Sequence, residues 1–239
     1  MSDDSYRLPT IPYEPSVGPS LYDLWESDAV PTFGAPLSVR DASYRELVVS
    51  IIQSHAGRRR TLLGIGSGNG LVEAELQRHG WDVLATDCLD SALRSCENKG
   101  LTARRFRLTE DEAFRKFDVL YCDGVFGHLW QPSISCVAAW LALSELGCVD
   151  TFAIVSNDLA DDDTTAIFTV RGSAEARFYR PTAGSVIADA EATGKWEFEC
   201  SRIYGYVRRG ISRRREIVVM KLLVNDGIEQ RGGGSGRAR

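Results

Sequence analysis

The pattern of apolar and polar positions changes character near Arg60. Before it, residues 21–37, LYDLWESDAVPTFGAPL, are aromatic and broken by Pro31 and Pro36, which predicts a short helix followed by a loop. Residues 38–56 predict a helix with Leu47, Val48, Ile51 and Ile52 on one face. Beyond Arg60, short apolar runs alternate with stretches of helical spacing. Strands are predicted at 61–65, 81–86, 103–108, 117–122 and 149–156. Helices are predicted at 71–79, closed by Gly80, at 90–99, capped by Asp90 and closed by Gly100, and at 133–146, closed by Gly147. A further helix is expected over 182–193. Two last strands follow at 196–206 and 214–224, joined through Arg209 and Gly210.

Strand–helix alternation argues for an α/β fold, a doubly wound and mostly parallel sheet with helices on both faces. The run 117–122 is nearly all apolar, as expected of a strand covered on both sides. The closing strand pair predicts an antiparallel addition at one edge. Four of the eight prolines lie within residues 1–20, so 1–37 reads as an arm and lid segment. The main domain then spans 38–226. Residues 227–239 end in GGGSGRAR and read as a flexible tail. A chain of 239 residues is long enough for a domain with a real core.

Charge narrows the partners. Residues 201–239 hold ten Lys or Arg against three Asp or Glu, whereas residues 1–200 hold eighteen against thirty. A compact acidic body is a poor sequence-independent binder of nucleic acid, because phosphate neutralisation dominates that affinity. The basic run from Arg208 to Arg215 fits an exposed hairpin. Six cysteines without C-x-x-C spacing and only three histidines form no zinc pattern. Free thiols inside apolar runs fit a reducing, cytoplasmic location. No run of ~18 apolar residues is present, so no membrane-spanning helix is expected. The start, MSDDSYRLPT, is too acidic and polar for a secretion signal.

The most informative segment is Gly64-Ile65-Gly66-Ser67-Gly68-Asn69-Gly70, which leaves a strand and opens a helix. Glycines let backbone approach a ligand closely, and a helix N-terminus offers free amides. The dinucleotide pattern G-x-G-x-x-G fails from either Gly64 or Gly66, and no lysine follows as a triphosphate loop requires. Asp87 closes the next strand. A carboxylate there faces the glycine loop and can accept both hydroxyl protons of a ribose.

With these two elements the chain resembles the class I S-adenosylmethionine-dependent methyltransferases. The matching motifs are Gly66-Ser67-Gly68-Asn69-Gly70, Asp87, and the stretch Phe117-Asp118-Val119-Leu120-Tyr121-Cys122-Asp123 leading to His128. The resemblance covers residues 40–224. It implies a Rossmann-like seven-stranded sheet whose last strand is inserted antiparallel. It also implies S-adenosyl-L-methionine as cofactor and S-adenosyl-L-homocysteine as product. One departure stands out: the acidic residue two positions before the first motif glycine is Gly64 here. In the family that carboxylate helps organise the amino-acid end of the cofactor.

The cofactor contacts so implied are Gly64, Gly66, Ser67, Gly68, Gly70, Asp87, Cys88 beside the adenine, and Glu110 or Asp111 on the adenine amino group. Arg40 is expected on the cofactor carboxylate, or else as a surface arginine on a helical face shared with Tyr44. Asp123 either binds the cofactor ammonium, orients an acceptor amine, or caps its loop. Methyl transfer needs the acceptor aligned with the methyl, water excluded and, for a hydroxyl, a base. His128 is the base candidate, with a packing or cofactor-orienting histidine as the alternative. Tyr22, Trp25, Phe126 and Asn157 are the acceptor-side candidates, with core packing the alternative for the aromatic residues. No metal role is expected. The expected acceptor is a small molecule of specialised or natural-product metabolism, with N-methylation ahead of O-methylation. A methyltransferase of RNA or protein, or a non-methylating cofactor-binding relative, remains the alternative. Either a monomer or a dimer fits.

Overall fold

The computed structural model describes residues 37–57, 60–108, 111–113, 115–129, 136–160, 166–169, 177–182, 184–208 and 210–223. The expected lid helix within 21–37, the turn at 109–110 and the tail lie outside these residues.

The helix expected over 38–56 is two helices, α1 (Leu37–Arg40) and α2 (Ala42–His55). The break falls at Asp41, whose backbone is extended and whose side chain accepts a hydrogen bond from the Tyr44 amide, so it caps α2. Helix α2 buries Tyr44, Val48, Val49, Ile51 and Ile52, while Leu47 packs only at the margin. Then strands and helices alternate: β1 (Thr61–Ile65), α3 (Leu71–Arg78), β2 (Asp82–Asp87), α4 (Asp90–Asn98), β3 (Thr102–Arg105), β4 (Phe117–Asp123), α5 (Phe126–Leu129), α6 (Val137–Leu146) and β5 (Gly147–Asp158). Asp90 is not the cap of α4; it lies in the first turn and pairs with Arg105. Strand β5 leaves α6 directly. Its irregular entry has the Cys148 amide donating to Thr151 Oγ1 at 2.7 Å and Asp150 at φ 63°.

A hairpin of β6 (Ala166–Thr169) and β7 (Arg177–Arg180) forms a separate two-stranded sheet. Neither strand was expected; four residues are too few for alternation to stand out. Helix α7 (Ser185–Glu191) is shorter than expected, and β8 (Trp196–Arg208) and β9 (Ile211–Leu222) close the fold.

The seven-stranded sheet runs β3-β2-β1-β4-β5-β9-β8. Pairings from β3 through β5 are parallel, and β9 is antiparallel to both β5 and β8. The closing pair therefore adds beyond β5 with the last strand innermost, as the resemblance implies. Each sheet face carries a core. On one face Trp140 of α6 and Trp196 of β8 lie 5.4 Å apart between ring centroids. Their indoles donate to the Val186 and Trp140 carbonyls, so two large apolar surfaces are buried with no unpaired N–H. On the other face α2 and α3 cover β1, β4, β5 and β9 through residues such as Tyr44, Val72 and Ile217. Strand β4 is buried from both sides, which its apolar sequence anticipates.

Candidate active site

The chain runs β1, β2, β3 toward one edge and β4, β5 toward the other. The order reverses between β1 and β4, and ligands of open α/β sheets gather at the carboxyl ends beside such a switch. The glycine loop lies there. Gly66, Gly68 and Gly70 have φ of 64°, 55° and 64°, a left-handed backbone that side chains rarely adopt. A Cβ on Gly66 would also run into Val125 Cγ2 from the loop after β4. The two loops thus meet closely enough that any larger residue at 66 would displace one of them.

Asp87 holds this loop. Its Oδ2 accepts the Gly68 amide at 3.0 Å and its Oδ1 the Leu89 amide at 2.9 Å. The Ser67 amide donates to the Thr86 carbonyl at 2.9 Å. Asp87 is only 6% exposed; burial raises its pKa, and hydrogen bonds from the Leu89, Gly68 and Cys88 amides and the Cys88 side chain work against that rise. Each carboxylate oxygen can accept more than one hydrogen bond. Cys88 follows and is exposed, and Arg105 fixes its turn by donating to the Cys88 carbonyl at 2.6 Å.

Behind the loop lies a residue that sequence reading missed. Glu73, in the first turn of α3, is 2% exposed and turns toward Gly64 in β1. Its pKa is lifted to about 7, chiefly by burial; a hydrogen bond to Ser67 opposes the rise, while Asp123 and Asp87 add to it. A Glu three positions into a helix reads as an ordinary first-turn acid, so nothing local distinguished it.

Asp123, at the end of β4, belongs to a buried network that sequence reading found only in part. Its Oδ1 pairs with Arg215 of β9 and accepts from the Tyr44 hydroxyl at 3.2 Å. Arg215 also donates from Nε to Ser156 Oγ at 2.8 Å and to the Tyr44 hydroxyl at 3.1 Å. Its Nη1 donates to Asp158 Oδ1 at 2.7 Å. Tyr206 donates to the same Asp158 oxygen at 2.7 Å. Burial pushes the Asp158 carboxyl up, but Arg215 and Tyr206 outweigh it and hold the pKa below the ordinary value. Arg215 is 7% exposed, which corrects the exposed-hairpin reading of Arg208 to Arg215 at its last member. Arg40 ends α1, on a different helix from Tyr44, and stacks over the Tyr206 ring at 5.5 Å.

The other candidates are dispersed. His128, in α5, keeps an exposed outer side, while the protein around the rest of the ring lowers its pKa by desolvation. Phe126 is 1% exposed and packs edge-on against Trp140 at 5.2 Å, so it belongs to the core rather than to an open acceptor pocket. Asn157 is buried near the end of β5, opposite Glu216 of β9, and its Oδ1 finds no hydrogen-bond partner among the described residues. Tyr22, Trp25 and Glu110 lie outside the described residues. The structure thus gathers Gly66, Ser67, Gly68, Gly70, Asp87 and Asp123 at the carboxyl ends of the central strands. Tyr44, Glu73, Ser156, Asp158 and Arg215 join them there.

No protein-family model matches the chain. A tabtoxin biosynthesis enzyme of Pseudomonas amygdali pv. tabaci is 26% identical over 192 residues, covering 79% of this chain and 75% of that protein. Among solved structures, the 1,6-didemethyltoxoflavin-N1-methyltransferase of Burkholderia thailandensis, crystallised with 1,6-didemethyltoxoflavin and S-adenosylhomocysteine, is similar with a TM-score of 0.61. It is 17% identical, covering 88% of this chain and 92% of that one. A SAM-dependent methyltransferase of Methanosarcina mazei has a TM-score of 0.60 at 13% identity, covering 73% of this chain and 97% of that one. The chain has the fold of the class I S-adenosylmethionine-dependent methyltransferases.

Proposed function

We propose that the chain is an S-adenosylmethionine-dependent methyltransferase acting on a small molecule of specialised metabolism, with nitrogen as the first-choice acceptor atom and oxygen the second. The observation that carries this reading is the glycine loop pinned to Asp87 beside the β1/β4 switch. The cradle fits an adenosyl group. The loop is bare backbone where a Cβ on Gly66 would strike Val125, and a buried carboxylate with spare acceptor capacity stands beside it. The 1,6-didemethyltoxoflavin-N1-methyltransferase neighbour and the tabtoxin biosynthesis relative support a small-molecule acceptor from specialised metabolism.

When bound, the cofactor supplies a sulfonium-activated methyl group. In this assignment Asp87 accepts the ribose hydroxyls, and the backbone at Gly66 and Gly68 lies against the nucleoside. Cys88 borders the adenine, and Arg40 meets the cofactor carboxylate. Asp123 is a positioning group, because Arg215 and Tyr44 hold its carboxylate in place. His128 stays neutral at physiological pH because its pKa is lowered, so its imidazole can accept the proton of an acceptor N–H or O–H. Asn157, near the end of β5 with its Oδ1 unpartnered among the described residues, is the acceptor-side group.

The test uses methyl-labelled S-adenosylmethionine, the purified chain and an extract of small metabolites. Label should pass to a small molecule. Asp87→Ala should weaken S-adenosylhomocysteine binding, measured by calorimetry, by roughly tenfold or more. Absence of binding to the wild-type chain would reject the reading.

A further inference from the structure

Strand β1 offers no carboxylate at Gly64, yet the space is not empty. A Cβ built on Gly64 would run into Glu73 Oε1, and would stand 2.6 Å from Ser67 Oγ and 2.9 Å from Glu73 Cγ. A side chain at 64 and the present Glu73 conformation exclude each other. The carboxylate of α3 occupies the place where a β1 side chain would begin.

The surroundings of that carboxylate are built for a cation. Glu73 is 2% exposed, so water does not solvate it, and Oε1 has no hydrogen-bond partner among the described residues. An anion in that state is costly without a counter-charge. Asp87 on β2 and Asp123 on β4 both add to the negative potential at Glu73, whose other oxygen is met by its own backbone amide and by Ser67. The guanidinium of Arg215, which pairs with Asp123, is committed to Asp123, Asp158, Ser156 and Tyr44. Behind the glycine loop, between the first turn of α3 and β1, therefore lies a buried carboxylate with no cationic partner among the described residues. The adenosyl cofactor brings an α-ammonium on its amino-acid arm.

We propose that Glu73 supplies from α3 the carboxylate that β1 lacks at Gly64, and that it is the counter-charge for the α-ammonium of the cofactor's amino-acid arm. This rests on the cofactor assignment above. It makes the Gly64 departure a relocation of the acidic group across the strand–helix unit.

Two ligands separate the proposal from that assignment. S-adenosylhomocysteine carries the ammonium without a sulfonium charge; 5′-methylthioadenosine keeps the nucleoside and lacks the amino-acid arm. Calorimetry on the full chain should show both binding to wild type. Glu73→Gln should weaken S-adenosylhomocysteine roughly tenfold and leave 5′-methylthioadenosine within about twofold. Gly64→Asp alone should lower the melting temperature, because two side chains compete for one space. Gly64→Asp combined with Glu73→Ala should recover both the melting temperature and the preference for S-adenosylhomocysteine. If wild type bound neither ligand, the cofactor assignment would fall and this proposal with it. If wild type bound both but Glu73→Gln weakened the two equally, or weakened neither, the assignment would stand and this proposal would be overturned. Failure of the double variant to recover over Gly64→Asp would overturn the shared-space claim.

Discussion

A buried carboxylate without a counter-ion costs folding free energy whenever it ionises. Glu73 titrates at about 7 in the folded chain against an ordinary value of 4.5. The folded state holds the proton more tightly, so the associated stability is complete below 4.5 and is lost as pH rises through about 7. Glu73→Gln cannot ionise. Its unfolding free energy, measured without ligand, should match wild type near pH 4.5 and exceed it at pH 8 by on the order of 3 kcal/mol, with a higher melting temperature there. Asp87, Asp123 and Ser67 face Glu73 in both proteins, so their own contributions largely cancel in the difference. A flat difference across that range would contradict the burial argument. Arg215 is the opposite case, a buried cation with two carboxylate partners. Arg215→Ala strands Asp123 and Asp158, and urea unfolding at pH 7 should show a loss of about 3–5 kcal/mol.

At the scale of elements, the same arginine joins parts of the chain that are distant in sequence. Through Tyr44, Asp123, Ser156 and Asp158 it ties α2 to the carboxyl ends of β4 and β5. Strand–helix alternation was legible because β1, β4 and β5 are apolar runs bounded by glycines or polar turns. The break at Asp41 was hidden, since apolar positions continue with helical spacing on both sides of it. Arg215 was hidden for another reason. Composition joins it to a basic run, whereas period-two alternation along β9 puts it on the inward face with Ile217 and leaves Arg214 outward. The β6–β7 hairpin was too short to announce itself.

At the scale of the molecule, the fold places a glycine loop, Asp87 and Asp123 at one end of a seven-stranded sheet. Among the described residues no helix is long and apolar enough to cross a membrane. The loop and Asp87 were legible because local sequence carries them: glycines between a strand and a helix, then an acid closing the next strand. Glu73 was not, because its meeting with Gly64 exists only once α3 folds against β1. The same holds for Arg215, whose partners lie on three other elements.

The central claim is that an adenosyl group lies on the bare backbone of residues 66–70 with its ribose held by Asp87. A crystal structure of the chain soaked with S-adenosylhomocysteine tests it most directly. The expected density places both ribose hydroxyls within hydrogen-bond distance of the Asp87 carboxylate and the nucleoside against Gly66 and Gly68. Density elsewhere, or a crevice filled by the chain's own side chains with Asp87 turned away, would contradict it.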